Sequence, residues 1–110
     1  MSTTLEILRD AIVRKKPVSF RYKNPKKPNE PKGARIGNPH AVYQTTTGNI
    51  NLDLYQTSGA ILPAGTELPA WRDYTLTFIS DLEIIEGPSF EVASDYKSYA
   101  RKYQRKFVKI

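Results

Sequence analysis

The 110 residues contain no cysteine and only one histidine, one tryptophan and one methionine. Without cysteine there is no disulfide frame, no thiolate chemistry and no zinc finger. The histidine, His40, follows a proline, Pro39, and no Ser-His-Asp order, metal-ligand spacing or phosphate-loop glycine pattern accompanies it. Enzymatic activity is therefore not expected, and neither is a cofactor or a metal. Long apolar runs are missing too. None reaches the roughly 18 residues that a membrane span needs, and Met1 to Asp10 lacks the apolar stretch of a signal peptide. The expectation is a cytoplasmic protein with no membrane partner.

Acidic residues are absent from 97–110, which hold six Lys/Arg. Residues 1–35 hold ten Lys/Arg and three Asp/Glu, a net +7, whereas 36–96 hold only Arg72 against eight acids, a net −7. An acidic body thus carries two basic ends, and the whole chain is at +6. Basic clusters concentrate polyanions and steer them in; they also serve simply as solvated faces. The 39% hydrophobic content suits one domain with one modest core.

Hydrophobic periodicity supplies the elements. Leu5, Leu8 and Ile12 fall at i, i+3 and i+7, one apolar face of a first helix that Thr3 or Thr4 caps and Pro17 ends. VSFRY places Val18, Phe20 and Tyr22 on one face of a strand. Residues 23–34, KNPKKPNEPKGA, hold three prolines and four lysines and read as a long mobile hairpin loop. A strand from about Arg35 to Tyr43 follows, with a bend expected at Asn38-Pro39. GNINLDLYQTSG then alternates Ile50, Leu52 and Leu54 with Asn51, Asp53 and Tyr55, one face in a core and one wet. A second long loop covers 57–70, where Ile61, Leu62 and Leu68 fold down onto the body. Tyr74, Leu76 and Phe78 mark another strand, and Ile79 to Ile85 a turn and a last strand. Ser94 caps an expected final helix on which Tyr96, Tyr99, Ala100, Tyr103 and Phe107 share one stripe. That stripe is a core or dimer contact, or a set of stacking faces for bases.

A helix followed by about five antiparallel strands is the order of a small SH3-like or Sm-like barrel. ILRDAIVRKKPVSFRY, RIGNPHAVY, GNINLDLYQTSG and WRDYTLTFISDLEII resemble, in that order, four segments of the WYL domain, named for a Trp-Tyr-Leu triplet on its third strand. Arg35 and Pro39 match the family's Arg-x-x-x-Pro-x-x-Leu segment. Ile50-Asn51-Leu52 stand in place of the triplet. In the closing segment Arg72 remains, while Thr75 and Phe78 stand where arginines are usual. The resemblance covers roughly residues 5–86. It implies an antiparallel barrel with an N-terminal helix over residues 1–90; residues 91–110, read from their own periodicity, are expected as a basic aromatic helix packed on the same domain. It also implies a module that senses nucleic acid or a nucleotide in transcriptional regulators or phage-defence systems, commonly as a homodimer. With no room for a helix-turn-helix before Leu5, it would be a lone sensor or adaptor.

The expected ligand groove follows from the wet strand face. Asn51 and Tyr55 would lie beside Arg72 or Tyr74 of the next strand, with Arg35 joining from the other side. Arginine offers a bidentate fork to phosphate, tyrosine a stacking face and asparagine a base-edge partner. Asp53 would repel such a ligand unless an arginine pairs with it. Lys97, Arg101, Lys102, Arg105 and Lys106 would hold the backbone of single-stranded DNA or RNA. A protein-interaction adaptor that docks through the aromatic stripe is the other reading.

Overall fold

The fold was analysed in a computed structural model, which describes residues 2–27, 29, 31–61 and 64–110. Helix α1, Ser2–Arg14, buries Leu8, Ala11 and Ile12 and leaves Arg9, Asp10 and Arg14 exposed. It stops before Pro17 by a left-handed residue, Lys15 at φ 55°. The Lys16 amide reaches back to the Ala11 carbonyl and the Lys15 amide to that of Ile12, so the last turn closes on itself.

Strands β1 (Val18–Tyr22), β2 (Ala34–Gln44), β3 (Ile50–Gly59), β4 (Ala70–Thr75) and β5 (Ile79–Ile84) form one antiparallel sheet in the order β4-β3-β2-β1-β5. A 3-10 turn, Leu76–Phe78, joins β4 to β5. The apolar faces of VSFRY and GNINLDLYQTSG turn inward as expected, but the face of Asn51, Asp53 and Tyr55, expected to be wet, is covered: Asp53 is buried and the other two are half-buried. Val18, Phe20, Leu52 and Leu54 share a core with α1, Val42 and Leu76. Strand β4 starts earlier than Asp73, and β3 runs on to Gly59. Ile61 is buried and Leu68 half-buried; Leu62 lies outside the described residues. Among the described residues no ladder joins β4 to β5, so the sheet is not closed into the expected barrel. No helix among them is long and apolar enough to cross a membrane.

Strand β2 does the most to shape the molecule. One edge pairs with β3 from Arg35 to Gln44. The other edge takes β1 along Ala34–Gly37 and a sixth strand, β6 (Lys106–Lys109), along Ala41–Tyr43. Register shifts lie between Ile36 and Gly37 and between Pro39 and Ala41. The second makes His40 an extra residue, as in a β-bulge, which re-aims a side chain.

The expected C-terminal helix is not formed. From Ser94 the chain runs irregularly to a 3-10 turn, Arg101–Arg105, and then becomes β6. Tyr96 and Tyr103 pack on the sheet, but Tyr99 is 82% exposed and Phe107 also faces solvent. A helix would have set Lys97 against Arg101, Arg101 against Arg105, Lys102 against Lys106 and Arg105 against Lys109 at i, i+4, four repulsive pairs. It would also have forgone the backbone bonds at the edge of β2.

Candidate nucleic-acid interface

The polar face of β3 looks onto the chain's own C-terminal segment. Asn51 stands opposite Thr75, Asp53 opposite Asp73 and Tyr55 opposite Trp71, and directly opposed residues share a face. Asn51 and Tyr55 are therefore not beside Arg72 and Tyr74, which lie on the other face; the actual register differs by one residue from the expected one, and each such step exchanges the faces. Asp53 is only 3% exposed. Its carboxylate accepts the Tyr103 hydroxyl at 2.6 Å and the Tyr43 hydroxyl at 3.4 Å, and the Lys102 ammonium lies 2.7 Å away. Lys102 also stands over the rings of Tyr43 and Tyr103. Burial, with the nearby carboxylate of Asp53, pushes both tyrosine pKa values up, so the hydroxyls stay protonated donors.

Beside this latch lies a second one at His40, which is wholly buried. Its Nδ1 is 2.8 Å from the Asn38 carbonyl, and its Nε2 accepts the Ala93 amide at 3.1 Å. These partners define a neutral ring with the proton on Nδ1. Trp71, Phe90 and Tyr96 surround it, and burial lowers its pKa. Trp71 donates its indole N–H to Asp95 at 3.0 Å and stacks on Tyr96. His40 is thus a seat for the C-terminal segment. Sequence spacing held no signal for this role, because the bulge that turns the ring arises only from pairing.

Arg35, Arg72 and Tyr74 come together on the core face. Arg35 is 1% exposed and donates to the carbonyls of Tyr22 and Gly33, each at 3.2 Å. Its guanidinium lies over the Tyr22 ring. The Tyr74 hydroxyl donates to Gln56 at 2.5 Å. Burial raises the Tyr74 pKa, against the pull of Arg35 and Arg72. The buried Arg72 Nε has no hydrogen-bond partner among the described residues. The five expected groove residues are therefore divided between two faces of the sheet.

Two open cavities gather the exposed cations. One, of 640 Å³, sits where β1 leads into the hairpin loop. Arg21, Lys23, Lys27 and Lys32, all exposed, line it together with Tyr22 and the buried Arg35, and none of its described lining residues is acidic. Sequence reasoning named only Arg35 here; the signal for the others was the lysine-rich, proline-stiffened loop. The other cavity, of 570 Å³, lies at the far end of β2 and brings Asn51 together with Arg101, Lys102 and Arg105. Lys97 lines a smaller space of 350 Å³ beside Trp71 and Tyr96, and Lys106 is exposed opposite Tyr43. No cluster of three or more His, Cys, Asp or Glu able to hold a metal occurs among the described residues. In comparisons with known proteins, no family model matches the chain and no curated protein matches it either.

Proposed function

We propose that this chain is a ligand-sensing module of WYL type, with the chain path of an SH3-like or Sm-like barrel, that binds nucleic acid or a nucleotide-type anion. The strand order β4-β3-β2-β1-β5, the 3-10 turn between β4 and β5 and the leading helix support that path. The setting, transcription regulation or phage defence, and the homodimer rest on the sequence resemblance alone. The observation that carries the reading is the cavity at the hairpin loop, which four exposed cations, Arg21, Lys23, Lys27 and Lys32, line together with Tyr22, with no described acid in its lining. Lysines supply point charges to a phosphate backbone, and the ring supplies a stacking face.

Fluorescence anisotropy with labelled single-stranded DNA and RNA tests this. Affinity is expected to fall roughly tenfold or more between about 50 and 200 mM salt. Replacing the exposed Lys23, Lys27 and Lys32 by glutamine is expected to weaken binding to both polymers. Absence of binding to either polymer and to mononucleotides at low salt would end this reading.

A protein-interaction adaptor is the second reading, favoured by the outward ring of Tyr99 among exposed basic residues. A protein partner that co-purifies after nuclease treatment and is lost in a folded Tyr99→Asp variant would support it.

A further inference from the structure

The two basic cavities differ in chemistry. The one at the hairpin loop sets its cations beside the neutral polar groups of Tyr22, Asn24 and Ser80, with no carboxylate among its described lining residues, which suits phosphate. The one at the far end of β2 mixes its cations, Arg101, Lys102 and Arg105, with the amides of Asn51 and Gln104 and the carboxylate of Asp73. Reading a base edge requires donors and acceptors together, and of the two cavities only the second has a carboxylate in its described lining to accept from a base.

Asp73 decides which base. It stands directly opposite Asp53 on adjacent strands, an arrangement of like charges that is unfavourable unless something neutralises it. Lys102, Tyr103 and Tyr43 satisfy Asp53. The Lys102 ammonium is committed to that buried carboxylate, and Asp73 remains exposed beside the two arginines. Asn51 is held in place because its side-chain oxygen accepts the Thr75 hydroxyl at 2.9 Å. A ligand that fits must therefore bring negative charge to Arg101 and Arg105 and a pair of adjacent donors to Asp73. A guanine nucleotide does both, since its N1–H and N2–H₂ present a fork that one carboxylate accepts, while its phosphate meets the guanidinium groups. Adenine and uracil lack that fork.

We infer that the cavity between the β2–β3 turn and the 3-10 turn Arg101–Arg105 is a base-reading pocket that selects guanine. The inference rests on the proposal that the chain binds nucleotide-type anions, and it assigns their base and their seat. Calorimetric titration of the full chain with GMP, AMP, CMP and UMP at one low salt concentration tests it. GMP is expected to bind about tenfold more tightly than AMP or UMP. Asp73→Asn should bring the four within about twofold of one another, because an amide no longer accepts both donors. Arg101→Gln with Arg105→Gln should weaken all four and keep their order. Equal affinity for the four nucleotides in the unaltered protein overturns the pocket, as does an Asp73→Asn variant that keeps the full preference. If single-stranded polymer still binds when either occurs, only the guanine pocket falls; if neither polymer nor mononucleotide binds, the broader proposal falls with it.

Discussion

Asp53 is almost fully buried, with one ammonium and two hydroxyls around it. Removing any of the three leaves part of its desolvation uncompensated. Lys102 supplies the countercharge, so Lys102→Met is expected to cost about 2–3 kcal/mol, less than for a fully enclosed pair because half of the lysine side chain is exposed. Tyr103→Phe deletes the shorter of the two hydroxyl bonds and is expected to cost about 1–2 kcal/mol. Urea unfolding with an unchanged m-value measures both. A Lys102→Met variant as stable as the parent would show that the latch contributes little. The sequence marked Asn51, Asp53 and Tyr55 as one face, correctly. What covers that face was not legible, because alternation reports the period of a strand and not the identity of the segment that returns to it. An acid in the middle of a strand pointed to water or a ligand; its countercharge and its shorter hydroxyl bond come from Lys102 and Tyr103, the latter 50 residues away.

Among the elements, β2 holds the two features that give the sheet its shape. At Gly37 a Cβ would stand 2.7 Å from both Gln56 Cα and the Tyr55 carbonyl oxygen, so β3 passes too close for any side chain. Gly37→Ala therefore forces backbone atoms apart, and a loss of about 2 kcal/mol in urea unfolding is expected. At the bulge, His40 links β2 to the C-terminal segment as a neutral acceptor. Burial depresses its folded-state pKa, so the unfolded chain takes up the proton more readily. The contribution of His40 is complete above the ordinary histidine pKa of about 6.5 and is lost progressively as pH falls below it. Unfolding free energies measured on both sides of that value should show the decline, and His40→Gln should flatten it. An unchanged slope in that variant would exclude His40 as its source. Elements built on contiguous apolar patterns, α1, β1, β2, β3 and β5, were readable in advance, because those patterns report burial directly; the strand expected through Tyr74, Leu76 and Phe78 instead ends at Thr75, and Leu76–Phe78 form a 3-10 turn. The stretch from Ser94 was misread as a helix. Its aromatic spacing fits a helical stripe, but the charges around it and the open edge of β2 favour a turn and a strand, and only the second of these can be seen once the sheet exists.

At the scale of the whole molecule, the charge blocks meet different ends of the same sheet. Five cations of the first block line the hairpin-loop cavity, and Arg101, Lys102 and Arg105 of the last block line the one at the far end of β2. The acidic middle supplies Asp53, which holds the last block down. Arg14 shows the same cross-linking on a smaller scale: it bridges Asp10 in its own helix and Glu86 beyond β5, a solvent-facing contact worth little on its own. If the hairpin-loop lysines contact phosphates, removing three of them should reduce the slope of log affinity against log salt for single strands by roughly two. An unchanged slope would place the polymer elsewhere on the protein. That the chain has two basic poles was legible from composition. That one pole is uniform in charge while the other mixes amides and a carboxylate depended on how strands and turns converge.

Trp71 is the only tryptophan in the chain, and its indole touches the returning segment through Asp95 and Tyr96. Its emission therefore watches one seam of the protein, separately from the far-ultraviolet dichroism of the sheet. If the fluorescence transition precedes the dichroism transition during denaturation, the tail has let go while the strands still stand; if the two coincide, tail and sheet come apart as one unit.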